Sequence, residues 1–316
     1  NKIFGKLIIA ENEKLNKNYE LEIKYLLDSH STYIEKKNLA AKQEWNYLTN
    51  LLPQFMAKLQ EANIISFKTK SKLRPIFIMG PPRSGTTLVE NIIVSGKNKI
   101  NSGGEVESLG KTFYSENIIK DYNSNKIKVD LSQKEIERIY NGIVYQYEQL
   151  GLIDKSKDNI FTDKSLENFL YIDLIKKIFP NAKFIFCYRD PVANVIGIIK
   201  NFLPNIFWAH SLDKIFIYLD MYYQILKKVN SDKNCLIISL EELSKNPIDK
   251  SKKLYNFLDL NWSSDCINFH NKKNNPIKTL SNIQLRNKIK KHDLSYLQNY
   301  KNIFYKYKKK YEWFKF

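Results

Sequence analysis

Cysteine is scarce in this 316-residue chain: Cys187, Cys235 and Cys266 are the only three, an odd number that cannot pair completely. A disulfide-stapled scaffold is excluded, and thiols set in apolar runs, as at Cys187 and Cys235, fit a reducing, cytoplasmic setting. Long apolar runs are missing too. Stretches such as 76–79 fall far short of the ~20 residues that span a bilayer. Residues 1–10 lack the charged start, apolar stretch and small-residue cleavage site of a secretion signal. Glycine (10) and proline (9) are thinly spread, so no Gly/Ser- or Pro-rich linker divides the chain, and no internal repeat is evident. Arginine is rarer still, confined to Arg74, Arg83, Arg138, Arg189 and Arg286.

What the chain does contain is a core. Hydrophobic residues make up 43% and aromatics 13%, too many for a disordered basic chain. The length allows one large α/β domain, or a catalytic domain with a small appendage. The formal charge is +18, and apart from the five arginines the 51 basic residues are lysine. Lysine, Asn, Ile, Phe and Tyr share A/T-rich codons, so a compositional bias explains most of that total. The competing reading is an electropositive field that draws in an anion.

Residues 35–61 carry Leu39, Ala40, Leu48, Leu51, Leu52, Phe55 and Leu59 at helical spacing, with Pro53 expected to bend or break the helix. This segment reads either as the end of a helical-repeat region or as helices packed on a catalytic core. Three short apolar runs, 75–79, 183–188 and 235–239, predict buried strands. Helical patterns at 131–150, 166–178, 212–229 and 249–258 lie between and after them. Strands alternating with helices predict a parallel sheet covered on both faces. Its ligand crevice should lie beyond the carboxyl ends of the strands.

After the first predicted strand comes Gly80-Pro-Pro-Arg-Ser-Gly-Thr-Thr87, followed by the helix-like Leu88-Val-Glu-Asn-Ile-Ile-Val94. The spacing Gly-x4-Gly-x-Thr is that of a phosphate-binding P-loop, with Thr86 where an NTPase carries Lys. Converging backbone N–H groups and a helix N-terminus hold an anion there. Thr86 and Thr87 add hydroxyls, and Arg83 adds a planar fork. The missing Lys argues against chemistry at an ATP γ-phosphate.

The run Pro82-Arg-Ser-Gly-Thr-Thr-Leu88 resembles the 5′-phosphosulfate loop of sulfotransferases that use 3′-phosphoadenosine 5′-phosphosulfate (PAPS). With Gly103-Gly104-Glu105, Phe161-Thr-Asp-Lys-Ser-Leu-Glu-Asn-Phe-Leu-Tyr171, Phe179-Pro-Asn-Ala-Lys183, Tyr188-Arg-Asp-Pro191 and Leu240-Glu-Glu-Leu243, the chain resembles bacterial tetratricopeptide-containing sulfotransferases, relatives of protein-tyrosine sulfotransferases. The similarity runs from about Arg74 to Tyr300. It implies a P-loop-like three-layer α/β fold with a central parallel sheet, preceded by a short helical segment. The division expected is a helical segment at 1–70 and a sulfotransferase domain at 71–316.

The resemblance implies roles for particular residues. Arg83, Ser84, Gly85, Thr86 and Thr87 would hold the 5′-phosphosulfate, and Arg189 the 3′-phosphate. The family's second 3′-phosphate ligand, a Ser, is replaced by Gly197, a loss of ~0.5–1.5 kcal/mol in binding unless Asn194 or Lys200 compensates. Glu105 is the expected base, with Glu107 less well aligned, and burial is expected to tune its carboxylate. The competing role for Glu105 is capping the following helix. Lys164 would bond the bridging oxygen, Ser281 would donate to the sulfuryl group, and Arg286 would help bind the nucleotide. No metal is expected, since no tight His/Cys/Asp cluster stands out.

His30, His210, His270 and His292 read as structural, with His210 near Phe207-Trp208 a modest alternative base. The Lys- and Tyr-rich tail 300–316 reads as a packed terminal helix rather than a nucleic-acid stacking platform. The function expected is sulfuryl transfer from PAPS to a hydroxyl acceptor: a peptide tyrosine, carbohydrate, lipid or small molecule. The alternatives are a P-loop small-molecule kinase and a non-catalytic anion- or nucleic-acid-binding protein on the same fold.

Overall fold

The computed structural model describes residues 2–61, 73–115, 132–154, 159–271 and 288–315. Five strands, β1 (Leu73–Met79), β2 (Asn101–Ser102), β3 (Asn159–Asp163), β4 (Lys183–Tyr188) and β5 (Cys235–Ser239), form one sheet in the order β2-β3-β1-β4-β5. Every neighbouring pair is parallel. The predicted strands at 183–188 and 235–239 fall on β4 and β5, and β1 begins two residues before its prediction. β1 is central, with later strands added on both sides of it. The chain therefore reverses its winding at β1, and the carboxyl end of that strand is where a parallel α/β sheet would take a ligand.

Ahead of the sheet lie α1 (Lys2–Leu15), α2 (Tyr19–Lys36), α3 (Asn38–Asn46) and α4 (Leu52–Glu61). Pro53 is the second residue of α4, where its missing N–H costs nothing. A π-helical turn at Tyr47–Leu51 absorbs the break. Between β1 and β4 come α5 (Thr86–Val94), α6 (Ser108–Ser115), α7 (Gln133–Gln149) and α8 (Ile172–Ile178). After β4 follow α9 (Pro191–Lys200), α10 (Leu212–Val229), α11 (Leu240–Lys245), α12 (Pro247–Phe257) and α13 (Tyr305–Lys310). The predicted 212–229 helix coincides with α10.

Contacts divide the chain into two units: residues 51–188 with 226–292, and residues 1–50 with 189–225 and 293–316. The expected boundary at 70/71 lies outside the described residues. In the sheet-bearing unit, alternation along the strands sends successive side chains to opposite faces. Ile76, Ile78, Ile185, Cys187 and Ile238 join one buried cluster with Val89, Ile92 and Ile93 of α5 and Leu254 and Tyr255 of α12. On the other side Phe77 stacks on Phe184, and Tyr147 of α7 packs edge-on against Phe161. Helix, sheet, helix is the three-layer arrangement expected.

The other unit is held by polar groups buried between helices. Lys200 of α9 pairs with the Glu22 carboxylate of α2 at 2.7 Å and donates to Tyr300. Tyr307 of α13 stacks on Phe216, and Trp313 stacks on Tyr223, while Lys308, Lys309 and Lys310 face solvent. The aromatic tail is thus packing material.

His30 and His210 are buried, with their Nδ1 atoms 2.7 Å apart. Their Nε2 atoms meet the carbonyls of Ile199 and Leu203. Both rings are thus buried and hydrogen-bonded on each nitrogen. Burial lowers both, His30 to about 4 against its ordinary 6.5. The unfolded chain therefore binds the extra protons first, so stability rises with pH across this window. Unfolding free energy should fall by roughly 2–3 kcal/mol as pH drops from 6.5 toward 4. Denaturant titrations at pH 7 and 4.5 measure it, and His30→Gln should flatten the slope; equal slopes in variant and wild type would remove the pair as the cause.

Candidate functional site

The phosphate loop leaves β1 at Met79 and enters α5 at Thr86. Its shape depends on two left-handed residues, Arg83 (φ 68°) and Gly85 (φ 96°). Gly80 lies so close to its neighbours that a Cβ would come within 2.4 Å of Ser84 Oγ and 2.9 Å of the Cys187 carbonyl. The loop therefore folds back against the end of β4 with no room for a side chain. A Cβ on Gly85 would meet Leu240 Cδ1 at 2.7 Å, so the start of α11 closes the loop from the β5 side.

Ser84 is 1% exposed, and its Oγ has no hydrogen-bond partner among the described residues. A buried hydroxyl without a partner is costly unless a ligand supplies one. The first N–H groups of α5 have no intrahelical acceptors either, because the carbonyls they would need precede the helix. A buried hydroxyl donor at a helix start suits an anion, and a phosphate or phosphosulfate group fits this donor set.

Glu105 and Lys164 are 59 positions apart in the chain, yet Lys164 Nζ lies 2.7 Å from Glu105 Oε1. The lysine side chain is 1% exposed and the glutamate side chain 57%. Burial was expected to tune Glu105; instead the carboxylate faces water and serves as counter-charge to a buried cation. The reason is local. Lys164 leaves the end of β3, inside the sheet, whereas Glu105 sits on the turn after the edge strand β2. Glu107 goes elsewhere, adopting φ 55° and pairing loosely with Lys111 at 3.9 Å. Lys164 also lies within electrostatic reach of the phosphate loop's support: burial drives the Cys187 thiol far up, and the Lys164 charge opposes that rise.

Both residues are held by buried carboxylates that the sequence analysis did not single out. Asp163 accepts from Tyr147 Oη (2.6 Å), Ser165 N and Oγ, and Asn168 Nδ2, which fixes the backbone on either side of Lys164. Glu90 of α5 accepts from Gly104 N and Thr162 Oγ1, next to Glu105 and near Lys164. The available signal was an acid inside the apolar run Leu88–Val94, where a polar face would ordinarily be read.

Arg189 follows β4 directly, and Asp190 caps α9 by accepting from Ala193 N at 2.9 Å. Gly197 lies within α9. Lys200 pairs with Glu22 and donates to Tyr300; Asn194 is buried. Ser281 and Arg286 lie outside the described residues. Among the described residues, no group of three or more His, Cys, Asp or Glu is placed to hold a metal ion, and no helix is long and apolar enough to cross a membrane.

Fold and loop together define a P-loop-like α/β protein whose loop at the end of the central strand lacks the lysine that an NTPase places there. The chain belongs to the sulfotransferase family, whose model matches residues 75–264. It is 24% identical over 201 residues to a putative protein-tyrosine sulfotransferase of Caenorhabditis briggsae, covering 62% of this chain and 69% of that one. It is also 28% identical over 234 residues to an uncharacterized protein of Aquifex aeolicus, covering 68% of this chain but only 29% of that protein. Among solved structures, the sulfotransferase domain of the Synechococcus PCC 7002 olefin synthase aligns with TM-score 0.47 and 16% identity, over 77% of this chain and 98% of that domain.

Proposed function

We propose that the protein transfers a sulfuryl group from PAPS to a hydroxyl acceptor, and that the acceptor is a peptide tyrosine. The observation that carries the reading is the pairing of a phosphate loop, holding the unpartnered Ser84 hydroxyl, with the buried Lys164 beside Glu105. Membership of the sulfotransferase family supports the reaction, and similarity to the C. briggsae protein supports the acceptor. PAPS supplies an activated sulfuryl group on a phosphate leaving group. Arg83, Ser84, Gly85, Thr86 and Thr87 bind the 5′-phosphosulfate. Arg189, from its motif position after β4, binds the 3′-phosphate. Ser281 and Arg286 keep the roles that the resemblance implies.

In the transfer, the acceptor oxygen forms a bond to sulfur as the bond from sulfur to the bridging oxygen breaks. Lys164 donates to that bridging oxygen, which keeps the electron pair, and Glu105 takes the acceptor proton. Its exposure leaves the carboxylate reachable by a large acceptor such as a peptide. The help is electrostatic and positional, as in phosphoryl transfer. Three free cysteines support a reducing, cytoplasmic site of action.

Calorimetry with the product nucleotide, 3′-phosphoadenosine 5′-phosphate, tests the reading. Saturable binding is expected, weakened about tenfold or more by Arg83→Ala through loss of a charge-assisted fork, and strengthened by Gly197→Ser. If neither wild type nor Gly197→Ser binds the nucleotide, the sulfotransferase reading is sunk.

A further inference from the structure

Glu90 sits one turn inside α5, four residues after Thr86, and is 5% exposed. An isolated buried carboxylate is expensive unless hydrogen bonds replace its water. Here one oxygen, Oε1, does the work of three junctions. It accepts from Ser102 Oγ at the end of β2 (3.1 Å), from the Gly104 amide (2.9 Å) and from Thr162 Oγ1 at the end of β3 (2.7 Å). Thr162 Oγ1 in turn accepts from the Gly103 amide at 3.2 Å.

The Gly104 residue is therefore gripped from both sides. Its N–H goes to Glu90, and its carbonyl accepts from the Lys164 amide at 2.8 Å. The next residue is Glu105, whose carboxylate meets Lys164 Nζ. Removing the Glu90 carboxylate would free the turn from α5 while leaving the phosphate loop, ten residues and more upstream of that turn, with its own packing against Cys187 and Leu240.

We propose that Glu90 is a positioning residue for sulfuryl transfer: it ties the helix that begins with the phosphate loop to the turn that carries Glu105, and so sets where the base and Lys164 stand relative to the bound donor. This rests on the function proposed above. Misplacing a catalytic group by about 1 Å costs up to about 100-fold in rate, whereas nucleotide affinity depends on the loop. Loss of Glu90 therefore separates turnover from binding.

The test compares Glu90→Ala and Glu90→Gln in the full chain. Glu90→Ala should lower kcat by about 100-fold and leave the dissociation constant of 3′-phosphoadenosine 5′-phosphate within about threefold. Glu90→Gln retains an acceptor oxygen and should recover kcat to within about fivefold of wild type. Hydrogen exchange at the Gly104 amide reads the tie without any reaction, and should speed up in Glu90→Ala but not in Glu90→Gln. A kcat for Glu90→Ala within about threefold of wild type, or kcat and nucleotide affinity falling together in both variants, overturns the proposal. Unchanged exchange at Gly104 also overturns it. If wild type neither binds the nucleotide nor transfers sulfate, it is the function that fails, while the exchange result still reports on the tie.

Discussion

Lys164→Ala is expected to reduce turnover by about 100- to 1000-fold, the range seen when one preorganised donor to developing charge is removed, with little loss of stability. The two halves of that expectation have different causes. Lys164 is buried at the end of β3, where in the proposed reaction its charge would act on the departing oxygen with less screening than at the surface. Its partner Glu105 is largely exposed, so losing the lysine does not strand a buried carboxylate. The penalty for breaking a fully buried pair therefore does not apply. Single-turnover transfer alongside denaturant unfolding measures both. Lys164→Arg should not restore the rate, because a guanidinium is broader and planar and the site is closed around a narrow ammonium stem. Turnover within tenfold of wild type in Lys164→Ala would remove the residue from the reaction.

The second large effect is structural. Gly103→Ala places a methyl 2.1 Å from the Thr162 backbone carbonyl, and backbone does not swing aside as a long side chain would. The β2–β3 edge or the turn must move, at a cost of about 1–3 kcal/mol or somewhat more. The same movement displaces Glu105 from Lys164, so activity falls further than stability. Gly104→Ala is the informative contrast. A Cβ there meets nothing within 4 Å, and the only objection is the left-handed backbone at φ 61°, worth about 1–2 kcal/mol. Chemical denaturation of both variants should rank Gly103→Ala as the more damaging. The reverse order would mean that the turn is looser against β3 than the contact implies.

Three strands were legible in the sequence because each is a short apolar run; β1 and β4 are largely buried, while the edge strand β5 is half-buried at Cys235, Leu236 and Ile237. β3 was not, although Phe161 and Thr162 lie within a motif. Its second half is polar, and those polar groups are tolerable in a sheet only because Glu90 and Tyr147 meet Thr162 and Asp163 there. The two-residue β2 has no periodicity to read. Pro53 was legible as a break, but the π-helical turn that accommodates it was not. Asp190 was not read in the sequence as the N-cap of α9 that it forms.

The scarcity of cysteine and arginine with which the chain presents itself, together with one contiguous loop, determined a good deal. The strand–loop–helix sequence around Gly80–Thr87 marked a candidate anion site, because every group that would form it lies within a few residues. The family resemblance rests on that stretch together with the motifs at 103–105, 161–171, 179–183, 188–191 and 240–243, and the family model matches residues 75–264. Tertiary structure alone decided which carboxylate stands against Lys164, that this carboxylate faces water, and that Lys200 pairs with Glu22. Those partners are 59 and 178 positions apart. Such pairings exist only once parallel strands and packed helices bring distant segments together, and no local spacing encodes them.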